Sequence, residues 1–275
     1  MSDFEDSFER LSTFVEDEMR FATSYYNDSY LKRRITSRMR RRGAESYSEY
    51  LELLGDYPDE RQALLDALCI NVSGFFRNPD VWEGIRGVLR TLTDECESVQ
   101  VWSAGCADGR EPYSVAMLAV DDPEIDEDRL VITGTDINRF ALEHSRRGRY
   151  TGSRTVDLSE QLEFLADYSR YVEQNGLEFQ IEDSIRDRVE FERHDLIQDE
   201  PRDGCDLVLC RNLFIYIDGE YKEPVIDTVR RSLEPGSYLV IGKAETIPHS
   251  LRDDFSVLDS QLRIYRRAVD DDRSP

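Results

Sequence analysis

The chain has 275 residues, 39% hydrophobic side chains and a formal net charge of −23. That length holds a full α/β domain, one small extra domain and their cores. It contains no apolar run long enough to span a membrane, and Met1 is followed by acidic and polar residues rather than a secretory leader. A cytoplasmic protein is expected, and the acidity argues against general nucleic-acid binding.

Lysine occurs only at Lys32, Lys222 and Lys243. Arginine supplies nearly all the positive charge. An acidic, lysine-poor surface fits adaptation to a salty cytosol, where the charge is screened; biased codon usage in an ordinary acidic protein is the plainer alternative. The five cysteines (Cys69, Cys96, Cys106, Cys205, Cys210) are odd in number and form no C-x-x-C, and the three histidines are scattered. Neither set makes a metal or disulfide pattern.

At the amino terminus Phe4, Phe8, Leu11 and Val15 recur on one helical face. Leu31 to Gly43 carries seven basic side chains and no acidic one. Leu31, Ile35 and Met39 fall at four-residue spacing, so one face packs while Arg34, Arg38 and Arg42 line another, and Gly43 ends the helix. A charge run is usually a solvated face. Against this background the run, with Arg41 included, reads as a docking surface for an acidic partner, protein or nucleic acid. Ser46–Glu49 fits a capping box, and Pro58 opens a further helix through Leu64, Leu65 and Leu68. These helices make a small all-α domain over residues 1–70.

Residues 71–92 read as a linker and lead-in helix, opening with Asn71–Val72–Ser73–Gly74–Phe75–Phe76–Arg77. The stretch Val99 to Met117 organises the remainder of the chain. An apolar run, Val99–Ala104, turns through Gly105–Cys106–Ala107–Asp108–Gly109 and leaves as a helix with Pro112 in its first turn. Strand, glycine loop and helix open a doubly wound α/β sheet, glycine permitting the tight turn and close approach to a ligand. The glycines do not fit G-x-G-x-x-G and no P-loop lysine is present after them, so a plain strand-to-helix turn is the alternative. Asp136 ends the next strand-like run, where nucleotide folds hold ribose hydroxyls. Residues 150–188 break the β–α rhythm and read as an inserted subdomain with β structure, Leu177–Ile181 alternating like a strand. Val189–Phe191 runs into His194–Asp195–Leu196. Cys205–Cys210 is a buried strand followed by Arg211–Tyr216. Asp218 caps a helix ending before Pro235–Gly236, Ser237–Gly242 is a fifth strand, and Phe255–Leu258 with Gln261–Tyr265 forms a closing hairpin. The α/β domain spans 93–270, and 271–275 is a tail.

In their order these pieces resemble the CheR family, the methyltransferases of chemotaxis receptors, over nearly the whole chain. Residues 70–77 resemble the family's N-V-T-x-F-F-R signature. Trp102 to Met117 resembles W-S-A-x-C-S-x-G-E-E-P-Y-S-x-A-M, Thr135–Asp136–Ile137 its T-D-I, Gly148–Arg149–Tyr150 its G-x-Y, and Cys210 to Asp218 its C-R-N-V-x-I-Y-F-D. The departures are Ser73, Arg110 for the first glutamate of the E-E pair, Ser237 in P-G-G, and Gly242–Lys243–Ala244–Glu245 for G-H-S-E. The last leaves the role of that loop open.

The resemblance implies a Rossmann-like class I methyltransferase sheet with a small all-α amino-terminal domain and an inserted β-subdomain. It implies S-adenosyl-L-methionine as cofactor, S-adenosyl-L-homocysteine as product, and contacts from Asn71, Ser73, Arg77, Glu111, Asp136, Asp195, Leu196, Arg211 and Asn212. The acceptor would be glutamate carboxylates in the cytoplasmic helical region of chemoreceptors, docked on Arg34, Arg38, Arg41 and Arg42. The expected protein is a monomer without nucleic acid, membrane insertion or metal, and its composition points to a halophilic archaeal member. A glutamate of pKa about 4.3 is already ionised at neutral pH, so no general base is required, which fits the absence of a matching histidine. Arg77 and Tyr216 are expected to orient the reacting groups, with linker bracing and core packing as their plainer roles. A methyltransferase acting on RNA or a small molecule, or a non-catalytic receptor-binding module, are the competing readings.

Overall fold

The computed structural model describes residues 3–19, 21–68, 74–153 and 155–269. They fall into two compact units, one of residues 1–71 with 216–221, the other of residues 72–215 with 222–275.

The first unit holds α1 (Asp3–Met19), α2 (Asp28–Arg42), α3 (Tyr47–Asp56) and α4 (Pro58–Leu68). Phe8, Leu11 and Val15 of α1 are buried with Leu31, Ile35 and Met39 of α2 and Leu64 and Leu68 of α4, the stripes that helical spacing predicts. The side chain of Phe4 lies outside the described residues. Asn27 caps α2, its Oδ1 accepting the Tyr30 N–H at 2.8 Å. Gly43 ends it at φ +76, a conformation glycine adopts without a Cβ penalty. At the start of α3, Ser46 Oγ accepts the Glu49 N–H at 3.1 Å, while the Glu49 carboxylate takes the Glu45 N–H at 2.8 Å, one residue outside the standard capping box.

Beneath α2 lies a buried charge. Glu60 of α4 is 1% exposed. It accepts the Arg38 Nε and Nη2 at 3.0 and 2.6 Å and the Tyr50 hydroxyl at 2.6 Å, with Arg42 Nε at 3.3 Å. A buried carboxylate needs such partners, and these draw Arg38 and Arg42 back towards the unit's interior.

The second unit begins with α5 (Pro79–Glu95), whose Val81, Trp82, Ile85 and Leu89 join the main core. Next in order are β1 (Val99–Ala104), α6 (Arg110–Asp121), β2 (Leu130–Asp136), α7 (Arg139–Arg147), β3 (Arg149–Thr151), α8 (Leu158–Leu162), β4 (Val172–Asn175), β5 (Glu178–Ile181), α9 (Asp183–Arg186), β6 (Val189–Arg193), β7 (Cys205–Cys210), α10 (Lys222–Ser232), β8 (Leu233–Ile241), β9 (Phe255–Asp259) and β10 (Ile264–Arg267). The main sheet runs β6-β2-β1-β7-β8-β10-β9. Its first five strands are parallel, and β10 is antiparallel to both neighbours. The order reverses between β1 and β7, and ligands of open α/β sheets bind beyond the carboxyl ends of strands at such a point. A second sheet, β3-β5-β4, is antiparallel, and its Tyr150, Val172, Phe179 and Ile181 extend the core.

Two boundaries differ from the sequence pattern. Strand β8 starts at Leu233, so Pro235–Gly236 lies within it, and a register shift against β7 between Cys205 and Leu207 absorbs the irregularity. The closing hairpin is interleaved: β10 inserts between β8 and β9 and starts only at Ile264, because Asp259 Oδ1 accepts the N–H groups of Gln261 and Leu262 at 2.8 and 2.9 Å and folds that stretch into a turn.

Candidate cofactor-binding site

The loop after β1 carries three left-handed residues in five, Gly105 at φ +73, Ala107 at +50 and Gly109 at +84. Only glycine fits at Gly109, where a Cβ would lie 2.7 Å from both Cβ and Oγ of Ser145. Cys106 N donates to Thr135 O at 2.8 Å, tying the loop to the end of β2. Burial pushes the Cys106 thiol up, so it stays protonated and unsuited to nucleophilic work.

Asp136 stands where β2 ends. Its Oδ2 accepts the Ala107 N–H at 2.9 Å and its Oδ1 the Asn138 N–H at 2.8 Å. Of the carboxylate's roughly four lone-pair sites these N–H groups take two. Burial pushes the Asp136 carboxyl up, and the N–H groups of Asn138, Ala107 and Ile137 pull against it. The end of β6 is drawn alongside, His194 N donating to Asp136 O at 3.2 Å. Asp195, 3% exposed, next caps a turn, accepting the Ile197 and Gln198 N–H groups at 2.9 and 3.2 Å, with Leu196 buried beside it.

A second group assembles on the other side of β1. Glu111 Oε1 accepts the Ser103 hydroxyl at 2.8 Å, and Oε2 takes Arg211 Nη1 at 3.3 Å. The Arg211 side chain is 2% exposed. Its Nη2 donates to the Arg77 carbonyl at 2.8 Å, its guanidinium lies 5.7 Å from the Trp82 ring centroid, and its Nε has no partner among the described residues. Burial pulls the Arg211 pKa down, and the Glu111 carboxylate opposes this.

The segment carrying Arg77 is held from several sides. Phe75 N donates to Gln161 Oε1 at 2.9 Å, Phe76 N to Ser114 Oγ at 3.2 Å, and Trp82 Nε1 to the Arg77 carbonyl at 3.1 Å. The Phe76 ring stacks on Phe164 at 4.7 Å. Phe76 and Asn78 are left-handed at φ +47 and +62, a strain that this anchoring sustains. Arg110, which departs from the family motif, lies 3.4 Å from Asp108 and 5.1 Å from the Tyr150 ring centroid.

The structure thus brings Arg77, Glu111 and Arg211 into one cluster and Asp136, the glycine loop and Asp195 into another, flanking β1. Asn71 and Ser73 lie outside the described residues. Tyr216 belongs to the helical unit. It is 7% exposed, its ring edge-on to Tyr30 at 5.0 Å and its carbonyl accepting Asn27 N and Nδ2, both at 2.9 Å. On α2, Arg38 and Arg42 bond Glu60, Arg34 lies 5.4 Å from the Tyr30 ring centroid, and Arg41 is exposed together with Arg33 and Arg40. The motif reading missed Glu245: Asn212, left-handed at φ +61, donates its N–H to this buried carboxylate at 2.9 Å. The surviving glutamate of the Gly242–Glu245 loop was the available signal.

The donor set suits S-adenosyl-L-methionine. Asp136 offers spare acceptors beside a backbone turn, and Glu111 and Arg211 offer both charges, one with an unpartnered buried N–H, for the zwitterionic methionyl end. With the strand order, these features define a class I S-adenosylmethionine-dependent methyltransferase. The family models agree in detail: the CheR methyltransferase SAM-binding domain matches residues 71–264 and the CheR all-alpha domain residues 6–69. The chain belongs to the CheR methyltransferase family. It is 32% identical to a chemotaxis protein methyltransferase of Listeria monocytogenes over 89% of this chain and 92% of that one. It is 27% identical to one from Borreliella burgdorferi over 88% of each. Among solved structures, the glycopeptide N-methyltransferase MtfA complexed with S-adenosyl-L-methionine aligns with a TM-score of 0.33 at 15% identity, covering 57% of this chain and 48% of that one.

Proposed function

We propose that this chain transfers the methyl group of S-adenosyl-L-methionine to glutamate carboxylates of chemoreceptors, forming methyl esters for chemotactic adaptation. The observation that carries the reading is the pair of clusters flanking β1, Asp136 with the glycine loop and Glu111 with Arg211, in a chain whose relatives are chemotaxis protein methyltransferases. Asp136 accepts the ribose hydroxyls, and Asp195 and Leu196 border the adenine. Asn71, Ser73, Arg77, Glu111, Arg211 and Asn212 supply the remaining cofactor contacts.

The cofactor supplies a methyl group activated on a sulfonium. The acceptor glutamate is ionised at neutral pH, so the protein's work is to align the carboxylate and exclude water. Charge is cancelled as the ester forms, so a tight cationic clamp on the acceptor would stabilise the ground state as well. Arg77 and Tyr216 orient the reacting groups. Tyr216→Phe separates that role from packing, because it keeps the ring against Tyr30 and removes the hydroxyl. A fall in kcat supports orientation, and unchanged kcat assigns Tyr216 to packing. Arg77→Ala lowers transfer far more than stability; normal incorporation of labelled methyl would remove Arg77 from the mechanism.

The receptor docks on α2. Arg38 and Arg42 set the helix on Glu60, and the exposed Arg33, Arg40 and Arg41 meet acidic receptor helices, a charge match that steers encounter. The acidic, lysine-poor composition fits a salt-adapted protein, and the enzyme acts in the cytoplasm as a monomer. Sedimentation in concentrated KCl tests the last point, a dimer contradicting it.

A further inference from the structure

Glu245 ends the loop after β8 and is 3% exposed. Its Oε2 accepts the N–H groups of Gly242 at 2.6 Å and Asn212 at 2.9 Å, and its Oε1 accepts that of Phe214 at 2.8 Å. Two of the three donors belong to the loop after β7, to which no local sequence rule ties Glu245. An ionised carboxylate is an acceptor only, which matches three converging N–H donors; an amide would set donor against donor. Burial pushes the Glu245 carboxyl up, and these N–H groups and the Arg211 cation pull it back.

The grip falls on both sides of a strained turn. Asn212 is held at φ +61, a region non-glycine residues occupy at a cost and keep only where the surroundings over-determine it. Space is reserved for the contact. A Cβ on Gly242 would lie 2.5 Å from Glu245 Oε2, 2.7 Å from Asn212 Nδ2 and 2.8 Å from Asn212 N. The same loop is tied down beyond it, where Lys243 pairs with Asp80 in the first turn of α5, next to Arg77 and Asn78.

The geometry points to Glu245 as a positioning residue for methyl transfer, one that holds the Arg211–Asn212 segment in the conformation in which it meets the cofactor. This rests on the proposed contacts of Arg211 and Asn212 with S-adenosyl-L-methionine. Four variants of the full chain test it by calorimetric titration with S-adenosyl-L-homocysteine, at a temperature where circular dichroism shows each folded. Glu245→Gln weakens binding about tenfold, the effect of losing one hydrogen bond to a charged group. Gly242→Ala, which keeps the carboxylate but drives a Cβ between it and Asn212, weakens it likewise and answers the question if Glu245→Gln does not fold. Val229→Ala, a fully buried site in α10, lowers the melting temperature without altering affinity. Asn212→Ala reports on the underlying reading. If Asn212→Ala weakens binding while Glu245→Gln and Gly242→Ala stay within twofold of the parent, the positioning role is wrong. If Asn212→Ala binds normally, the cofactor contact itself is wrong and the proposal falls with it.

Discussion

Replacing Gly109 by alanine strikes the glycine loop at its tightest point. At φ +84 an L-residue is strained by about 1–2 kcal/mol. The new Cβ would also lie 2.7 Å from Ser145 Cβ and Oγ and 3.0 Å from Phe191 Cε1. All three atoms belong to packed side chains, and overpacking of that kind costs about 1–3 kcal/mol. Together the loss is about 2–5 kcal/mol, or about 2–4 °C of melting temperature per kcal/mol for a domain of this size. Part of the strain relaxes by moving the loop, which carries the Ala107 N–H away from Asp136, so affinity for S-adenosyl-L-methionine falls as well. Thermal unfolding followed by circular dichroism and calorimetric titration read the two effects. Adding Ser145→Gly removes the two closest contacted atoms and leaves the Phe191 contact and the backbone strain, so the double-mutant cycle shows a coupling of about 0.5–3 kcal/mol. A Gly109→Ala chain with parental melting temperature and parental cofactor affinity would refute the reasoning.

In the helical unit, Glu60→Leu leaves the inward-turned Arg38 without its partner and costs about 3–5 kcal/mol in urea unfolding; a loss under about 1 kcal/mol would mean that the pair behaves like an exposed one. Because burial raises the Asp136 carboxyl above its ordinary 3.8, the group takes up a proton at a higher pH in the folded chain than in the unfolded one. Its ionisation therefore subtracts stability as pH rises through the raised value, while cofactor affinity, which needs the acceptor ionised, falls as pH drops through it. Asp136→Asn abolishes that acid limb of affinity, and a limb that persists in the variant would point to another group. Charge reversal at Arg33 and Arg41 lowers the rate of receptor methylation several-fold at low salt, less at high salt, and leaves cofactor affinity alone; equal loss at all salt concentrations would argue against electrostatic docking.

Legibility in the sequence depended on range. The unit from Val99 to Met117 and the acid at Asp136 were legible because strand, turn and helix each signal through neighbouring residues. The stripes of α1 and α2 were legible for the same reason. Contacts across the chain were not. Arg38 reads as a surface cation until Glu60, 22 residues on, is seen to take it. Tyr216 reads as a neighbour of Asn212, yet its carbonyl pairs with Asn27, 189 residues away. Glu245 lies in a loop whose other residues depart from the family's motif, and the contact it makes with the turn at Asn212 spans 33 residues. The strand β10 was recognisable as a strand, but its insertion between β8 and β9 depends on sheet pairing that no local pattern encodes.

The most direct test of the account is transfer of labelled methyl from S-adenosyl-L-methionine to membranes carrying the host's chemoreceptors, at high salt, with mild alkali applied afterwards. The parent chain leaves base-labile label on receptor glutamates, and Glu111→Gln, which loses the charge facing Arg211, leaves strongly reduced label. Cofactor binding without label on receptors, or label that survives alkali, would contradict the account.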